Sequence, residues 1–445
     1  MADKSTLSGR MKRHANVAGA MSGVAVQAAG KRLLGIEINH AKHAVELRQA
    51  LGGLKGPLMK IAQIISTIPD AVPPEYTKEL AQLQSDAPSM GWAFVKRRMM
   101  GELGADWQTK FKSFDQTASA AASLGQVHKA VTQKNVNVAC KLQYPDMNSA
   151  VEADLKQLAI IFSMFEMVDR AVSTKDIQKE IADRLREELD YVREAKHIAL
   201  YSEMLSDIKT VHVPEVLHDL STSRLLTMTW LEGERMASVA ETRNLEARNE
   251  IAMNMFHAWY VPFYNAGIIH GDPHLGNYSV RKDNSINLLD FGCIRIFRPA
   301  MVSGVIELYH ALVTNDHDRA VEAYKEWGFT NPSKALIDTL NIWARFIYAP
   351  LLEDRKRLIE ETNTGLYGRE IAAKVHEELR KIGGVTVPRE FVFMDRAAIG
   401  LGSVFLRLKA EINWYEMFHN LIDDFDVVKV QKSQEKLLKK HKLTA

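Results

Sequence analysis

Apolar residues recur at helical spacing early in the chain and again over most of its second half. This spacing predicts helices over Ala41–Arg98, interrupted at Pro69 and at Pro73–Pro74, because proline lacks the amide hydrogen that a helix interior needs. Residues Phe111–Tyr144 instead show short β-branched runs around a turn rich in alanine and serine, which predicts a strand, a turn and a strand. We therefore expect a helical unit followed by a small sheet.

A long helical pattern follows the predicted sheet, over Val151–Leu205. Its apolar stripe consists of Ile177, Ile181, Leu185, Leu189 and Val192. A further strand is predicted at Arg224–Trp230 and two short strands near Lys282–Ser285, with a helix up to about Gly267 between them and helices almost to the end. Few strands early and many helices late predict an α+β protein with two lobes and a helical attachment.

Composition narrows the function classes only slightly. Apolar residues make up 46% and charged residues 25% of the 445 residues, which is typical of a globular protein. The net charge of +2 argues against a dedicated nucleic-acid binder, because such proteins usually carry a strongly basic face. Only Cys140 and Cys293 are present, so a disulfide framework is excluded and a reducing compartment is expected.

One predicted strand carries a lysine in a suggestive position. If residues 136–144 are extended, alternation places on one face Val136, Val138, Cys140 and Leu142. Ala139 and Lys141 then share the other face, so a small residue that admits a flat ring lies beside an ammonium group that can hold phosphates. This is the layout of the strand lysine of protein kinases, although a lysine on a strand is more often simply solvated.

A loop further along supports the nucleotide interpretation. Asp272 and Asn277 are five positions apart, the interval of the kinase catalytic loop, where the aspartate meets the substrate hydroxyl and the asparagine holds Mg²⁺. Asp290 opens an Asp-Phe-Gly sequence after the apolar run Ile286–Leu289, and a carboxylate at a strand end suits Mg²⁺. The order of these residues after Lys141 predicts binding of ATP and Mg²⁺; the alternative is three unrelated turns.

Two features depart from typical kinases. The expected glycine-rich phosphate loop is here Ala120–Val127, with one glycine, so Ala121, Ala122 and Ser123 would contact the nucleotide through a stiff turn, since alanine does not reach positive φ cheaply. A helical pattern also resumes soon after Gly292, without an activation segment. We therefore expect no platform for an extended peptide substrate.

Together these motifs resemble the UbiB/AarF family of atypical, protein-kinase-like proteins. The resemblance runs over about Gly53–Leu408 and is carried by AASLGQVHKA, VACKLQYP, ELDYVREA, HGDPHLGN and LLDFG. The hallmark K-x-G-Q helix of that family corresponds to Lys60-Ile61-Ala62-Gln63, where Ala62 replaces the family glycine. Lys60 and Gln63 remain on one helical face.

The resemblance implies a two-lobed protein-kinase-like fold with an N-terminal helical extension packed over the cleft. It further implies an ATP-binding kinase or ATPase that supports ubiquinone, or isoprenoid quinone, biosynthesis. By this analogy Lys141 contacts the ATP phosphates, Asn277 and Asp290 bind Mg²⁺, Asp272 takes the catalytic-loop role, and Glu194 pairs with the strand lysine.

The resemblance also assigns the regulatory E-x-D acids of the family to Glu188 and Asp190. On one ideal helix Glu188 and Glu194 point roughly 120° apart, so they cannot face one ligand. We therefore expect Glu194 to face the strand lysine and Glu188 to face the helix of Lys60 and Gln63. A solvated, acid-rich helix face is the alternative.

The predicted domains follow from these boundaries. They are a basic, small-residue segment (1–45), the helical extension (46–110), an N-lobe with a helical insertion (111–232), a helical C-lobe (233–410), and a C-terminal helix with a basic tail (411–445). A helical tail would gather on one side Lys429, Lys432, Lys436, Lys439 and Lys440. Such a face is either solvated or in contact with anionic lipid.

Three functions remain open at this point. The first is the atypical kinase or ATPase, with ATP and quinone-biosynthesis proteins or lipid intermediates as partners and no nucleic acid. The second is a small-molecule phosphotransferase of the aminoglycoside or choline kinase kind, against which the Lys60/Gln63 helix and the alanine-rich turn argue. The third is a nucleotide-binding pseudokinase scaffold. The expected location is cytoplasmic, with peripheral contact with the inner membrane left open.

Overall fold

The structure is a computed structural model that describes residues 90–122, 124–168, 175–361, 366–382 and 388–444. Most of the predicted helical extension (46–110) lies outside the described residues, because only residues 90–110 of it are described; Lys60, Gln63 and Ser123 also lie outside. The contacts divide the described chain into two compact units. The first comprises the residues up to Tyr191 together with Leu217–Thr227. The second comprises Val192–Val216 and the residues from Met228 onwards. The finer five-part division remains a prediction.

The elements are numbered in chain order. The helices are α1 (Trp92–Leu103), α2 (Met147–Val168), α3 (Lys175–Glu188), α4 (Tyr191–Met204), α5 (Met236–Thr242), α6 (Leu245–Ala266), α7 (Pro299–Thr314), α8 (His317–Glu326), α9 (Lys334–Tyr348), α10 (Leu366–Ile382), α11 (Arg389–Leu408), α12 (Trp414–Ile422) and α13 (Val427–His441). The strands are β1 (Phe111–Phe114), β2 (Ala120–Ala122), β3 (Gly125–Thr132), β4 (Asn137–Gln143), β5 (Val211–His212), β6 (Leu225–Thr229), β7 (Glu234–Arg235), β8 (Ile268–His270), β9 (Tyr278–Val280), β10 (Ile286–Leu288), β11 (Ile294–Ile296), β12 (Lys356–Arg357) and β13 (Ile412–Asn413).

The first unit is built on one sheet with the order β1-β3-β4-β6, and β2 pairs with β3. The predicted alternation along β4 is confirmed, because Val138, Cys140 and Leu142 are fully buried in a core with Val95 and Met99 of α1. Burial also raises the pKa of the Cys140 thiol to about 12. The first residue of the predicted stripe, at position 136, lies just before the strand and is 37% exposed. The sheet therefore takes its core face from the period of two in the sequence.

The helix predicted through residue 205 is interrupted, and the structure corrects this expectation. Helix α3 ends at Glu188 and α4 begins at Tyr191, with Leu189 and Asp190 in a turn between them. The Leu189 carbonyl accepts a hydrogen bond of 2.6 Å from Gln143 Nε2 of β4, a tertiary contact that periodicity does not reveal. Val192 is consequently off the stripe and 50% exposed. The 120° argument for Glu188 and Glu194 required one continuous helix, and it is wrong.

The second unit places two small sheets among its helices. One sheet has the order β5-β10-β9-β7, and β8 pairs with β11. The two predicted short strands are β9 and β10, joined by a turn in which Asn284 adopts a left-handed φ of 64°. The helix predicted up to Gly267 is α6, whose end is capped by that glycine at φ 66°.

The segment after the Asp-Phe-Gly sequence is short. Only β11 and a brief link separate Gly292 from α7, which begins at Pro299. The expectation that the chain returns to helix without an extended activation segment is confirmed in these described residues.

Candidate functional site

His270 is the centre of the loop that contains Asp272. Its ring is fully buried at the end of β8, where Nδ1 accepts a hydrogen bond of 3.2 Å from the Asp272 amide. An amide nitrogen only donates, so the ring proton is on Nε2, which donates to the Asp290 carbonyl at 2.7 Å. One side chain therefore connects the backbones of the two predicted acids.

The loop is closed by bonds to the Asp272 carbonyl. Asn277 Nδ2 donates to this oxygen at 3.2 Å, and the Tyr278 hydroxyl donates to it at 3.1 Å. Burial, together with the charge of Asp272, raises the pKa of Tyr278 well above its ordinary value, so its hydroxyl remains a donor at any physiological pH. The structure thus brings Asp272, Asn277 and Asp290 together, as their order in the sequence predicted.

Helix α4 is attached to the Asp-Phe-Gly segment by two side chains. His197 Nδ1 donates to the Phe291 carbonyl at 3.0 Å, and the Phe291 amide donates to Glu194 Oε1 at 3.4 Å. The Phe291 ring is fully buried and packs edge-on against Tyr201, at 5.5 Å between ring centroids. Glu194 is itself buried. The surroundings of its carboxylate therefore depend on the conformation of the Asp-Phe-Gly backbone, which donates to it.

A glycine between His270 and Asp272 allows the close approach of β8 to β11. The Gly271 amide donates to the Cys293 carbonyl at 2.6 Å. A Cβ atom on Gly271 would lie 2.9 Å from Cys293 Sγ and 3.1 Å from the Cys293 carbonyl oxygen, distances that side chains do not tolerate without displacement. The glycine of this motif therefore has a packing role next to the acids.

Lys141 lies in the first unit, on β4. It is buried beside Ala139 on the face opposite the core, and its Nζ lies 5.4 Å from the centroid of the Tyr191 ring. A cation above an aromatic face is stabilised by the ring's quadrupole. The ammonium group is thus held at a defined position on the strand, and its predicted pairing with Glu194 remains a prediction.

The alanine-rich segment is a strand pairing. Ala121 pairs with Gln126 and Ala122 with Gly125, so the described alanines belong to the strand β2. The described alanines adopt no positive φ, so a glycine is not required at their positions. Gly125 is different, because a Cβ atom there would lie 2.2 Å from the Leu142 carbonyl oxygen. Ser123 lies outside the described residues, and nucleotide contact by this hairpin stays a prediction.

A buried polar pair follows the hairpin on β3. The Gln126 side chain exchanges hydrogen bonds with the backbone of Met90, and its Nε2 lies 2.7 Å from His128 Nε2. His128 Nδ1 donates to the Asp115 carbonyl at 2.7 Å. Burial lowers the pKa of His128, in keeping with a neutral ring that accepts at Nε2. Gln126 therefore anchors the backbone at Met90, which lies within the predicted extension.

The two predicted E-x-D acids lie at the end of α3 and in the turn that follows it. Glu188 is the last residue of α3 and Asp190 is exposed in the turn. Asp190 lines an open cavity of about 360 Å³ with Gln143, Arg186 and Arg224. Their proposed partners Lys60 and Gln63 lie outside the described residues, so the regulatory role remains a prediction.

The donor set of the loop fits Mg²⁺. Asn277 turns its amide nitrogen to the Asp272 carbonyl, which leaves its amide oxygen as a ligand, and Asp290 supplies a carboxylate. Among the described residues no three His, Cys, Asp or Glu side chains form a metal cage. Nucleotide-bound Mg²⁺ needs only one or two protein ligands, because phosphates and waters complete its octahedron.

Sequence reasoning missed the residues that hold the acids in place. His270 and Tyr278 stand in or next to the quoted HGDPHLGN motif, but their roles follow from hydrogen bonds that are visible only in the structure. His197 follows Glu194 by three positions on one helix, which places both side chains on one face. This spacing could have indicated His197 as a further site residue.

Comparison with known proteins finds a family model and several relatives that match much of the chain. The ABC1 atypical kinase-like domain matches residues 82–324. The chain is 30% identical over 286 residues to Activity of BC1 complex kinase 7, chloroplastic, of Arabidopsis thaliana, covering 62% of this chain and 40% of that protein. It is 25% identical over 382 residues to atypical kinase coq-8, mitochondrial, of Caenorhabditis elegans, covering 84% and 50%. AarF domain-containing protein kinase 1 of Xenopus laevis is 27% identical, covering 79% and 67%.

A solved structure supports the fold. The complex of Rv3197 with erythromycin from Mycobacterium tuberculosis has a TM-score of 0.62 at 24% identity and covers 86% of this chain and 96% of that chain. The chain spans about half or less of the length of the first curated relatives that it matches. The α+β, kinase-like fold expected from the sequence is therefore confirmed. The chain belongs to the ABC1 atypical kinase-like domain family, also called the AarF/UbiB family.

Proposed function

We propose that this protein binds ATP with Mg²⁺ and acts as an atypical kinase or ATPase in support of isoprenoid quinone biosynthesis. The observation that carries the proposal is the His270 frame, in which one ring hydrogen bonds the backbones of Asp272 and Asp290. A phosphotransfer site needs a carboxylate for the metal and another for the reacting hydroxyl or water, held in fixed positions.

Each residue has a distinct part in this proposal. Asn277 and Asp290 would hold Mg²⁺, which neutralises charge on the phosphates when bound. Lys141 would bind phosphate oxygens, and burial of its stem favours one orientation. Asp272 would orient a hydroxyl or water and accept its proton, while the bonds to its carbonyl from Asn277 and Tyr278 stabilise this conformation of the loop.

The nature of the acceptor is the finer part of the proposal. The short link between Gly292 and α7 leaves little chain for docking an extended peptide, which favours a small or lipid acceptor, or water. The quinone role is supported by the family resemblance and by the relative named coq-8. Complementation of a quinone-deficient deletion strain by wild type and failure of Asp290→Asn to complement would support that role, and full complementation by the variant would contradict it.

The nucleotide part is tested by Mg-ATP titration followed by thermal shift. Asp290→Asn removes the carboxylate charge from the metal, so affinity is expected to fall by about tenfold or more, or about 1.4 kcal/mol. Asp318→Asn is the matched control, because that carboxylate is fully exposed on α8. Equal affinity in wild type and Asp290→Asn would contradict the proposal.

A companion variant separates an enzyme from a scaffold. Asp272→Asn retains the backbone bonds of the loop but removes the proton acceptor, so binding is expected within about twofold of wild type and turnover about 100-fold lower. If wild type binds Mg-ATP and Asp272→Asn changes neither binding nor any turnover, the pseudokinase scaffold replaces the kinase or ATPase.

A further inference from the structure

Helix α11 contacts the loop of Asp272 through a glycine. A Cβ atom on Gly400 would lie 2.0 Å from Pro273 Cγ, 3.0 Å from Pro273 Cβ and 3.3 Å from Pro273 Cδ. All three atoms belong to one rigid ring, which cannot rotate away as a long side chain can. The proline therefore occupies space that any other residue at position 400 would fill.

The helix around Gly400 is itself held in place. On one side of α11, Ala397, Leu401 and Val404 are almost fully buried. The Ser403 hydroxyl donates to the Gly400 carbonyl at 2.6 Å, which fixes the helix backbone at the contact. Because this face of the helix is packed, we expect a displacement at this position to move the loop of Asp272.

The loop transmits such a displacement to Asp272 directly. The peptide bond that joins Asp272 to Pro273 contributes the carbonyl that accepts from Asn277 and Tyr278. A shift of the Pro273 ring therefore moves the acceptor of both bonds, and with it the backbone that carries the Asp272 carboxylate. Displacements of about 1 Å at a reacting group can lower rates by two orders of magnitude.

We infer that Gly400 is a positioning residue for Asp272, and that α11 is a buttress that sets the conformation of this loop through Pro273. The inference rests on the proposed function for its effect on turnover, but the contact itself does not. It assigns a role in phosphotransfer geometry to a helix that begins 65 residues beyond the family match, which ends at residue 324.

The test compares Gly400→Ala with Gly402→Ala in the full chain. Both variants add one methyl group to the same helix, but a Cβ atom on Gly402 meets no atom within 4 Å. Gly400→Ala is expected to lower the turnover of Mg-ATP by about tenfold or more, with KM changed by less than about threefold, because Pro273 adjoins Asp272 directly, whereas Asn277 meets the displaced carbonyl only through its amide nitrogen. Gly402→Ala is expected to match wild type; equal losses in both variants would overturn the inference.

A compensating substitution gives the second arm. Pro273→Ala removes Cγ and Cδ, the nearest and the farthest of the three ring atoms that approach Gly400. The double variant Gly400→Ala, Pro273→Ala is then expected to turn over close to the rate of Pro273→Ala alone, because the 2.0 Å approach to Cγ is removed and only the Cβ contact of 3.0 Å remains. Independent, additive losses would show that Gly400 does not act through Pro273.

Hydrogen exchange over residues 270–278 without nucleotide separates this inference from the proposed function. Gly400→Ala is expected to speed exchange there and Gly402→Ala to leave it unchanged. If wild type failed to bind Mg-ATP, the proposed function would be contradicted. The difference in exchange between Gly400→Ala and wild type would still test the contact between α11 and the loop. Unchanged exchange in Gly400→Ala would overturn the buttress even if turnover fell. If Gly400→Ala does not fold, faster exchange in Pro273→Ala supports the contact, and wild-type exchange contradicts it.

Discussion

Three buried histidines hold particular backbone segments of this chain in place. His270, His128 and His197 each use a ring nitrogen to bind a main-chain carbonyl, which determines where the proton resides on each ring. A buried group of this kind is costly to leave unpaired, by about 1–3 kcal/mol. These histidines therefore fix backbone segments in place.

Asp395 provides the clearest pH-dependent prediction at this scale. Its carboxylate on α11 accepts a hydrogen bond of 2.5 Å from Trp343 Nε1 of α9. Burial raises the pKa of Asp395 from 3.8 to about 6, and the Trp343 bond opposes that change only partly. The folded state therefore holds this proton more tightly than the unfolded state does.

The sign of the effect follows from that difference. Below about pH 4 the carboxyl is protonated in both states and costs nothing, whereas above about pH 6 the folded state contains a buried charge. Stability should thus fall as pH rises from about 4 to about 6, by roughly 3 kcal/mol. Asp395→Asn keeps an acceptor for Trp343, so it should gain stability over wild type at pH 7 and not at pH 4.

Urea unfolding at the two pH values measures this gain. Asp318→Asn on α8 serves as the control, since its exposed carboxylate should give the same small difference at both. A difference between Asp395→Asn and wild type that does not change with pH would show that the carboxyl titrates normally.

At the scale of elements, strands were easier to predict than helix ends. The alternation along β4 and the pair β9 and β10 follow from a period of two and a turn, which are local properties. The end of α3 does not follow from local properties. The Leu189 carbonyl there accepts a hydrogen bond from Gln143, on a strand 46 positions away in sequence. Helix boundaries that depend on such contacts are invisible to periodicity.

Helix α13 shows how one element can secure several others. Gln434 is buried, and its Nε2 donates to the Ala266 carbonyl at 2.7 Å and to the Phe297 carbonyl at 2.8 Å. Near the other end, Lys440 and His441 both contact the Glu203 carboxylate of α4. These bonds lower the pKa of Glu203, with Lys440 making the largest contribution.

Gln434→Leu tests that anchoring. The leucine has a similar size but no donor, so two carbonyls lose a partner and the free energy of unfolding is expected to fall by about 1–3 kcal/mol. Hydrogen exchange should rise along α13. Gln431→Leu is the matched control on the same helix, because Gln431 is exposed and bonds only Glu435 in the structure. Equal unfolding midpoints for the two variants would rule out an anchoring role.

At the scale of the whole molecule, the net charge of +2 hides an uneven distribution. Helix α13 exposes a set of lysines, Lys429, Lys432, Lys436, Lys439 and Lys440, of which the last contacts Glu203. Within the described residues, none of the helices has the length and apolar character needed to cross a lipid bilayer. Contact between this lysine face and anionic lipid remains a prediction, and it would depend on the charge of the two surfaces.

Co-sedimentation with vesicles tests this expectation. Binding to phosphatidylcholine vesicles that contain phosphatidylglycerol should exceed binding to phosphatidylcholine alone and weaken as salt is added, because each basic residue contributes about 1 kcal/mol near an anionic surface. Reversing Lys432 and Lys436 to Glu should abolish most of it, whereas Lys334→Glu with Lys374→Glu, on α9 and α10, should not. Equal binding by both double variants would exclude α13 as the contact.

The sequence by itself determined the family, the order of the candidate phosphotransfer residues and the core face of β4. Motif spacing and the period of two along a strand are local properties, so both can be recognised in the sequence alone. Only the tertiary structure decided that α3 ends at Glu188, that His270 joins the backbones of Asp272 and Asp290, and that Gly400 receives Pro273. Each of these depends on side chains or backbone segments that are distant in sequence and meet only when the chain is folded, because hydrogen bonding and close packing act between neighbours in space.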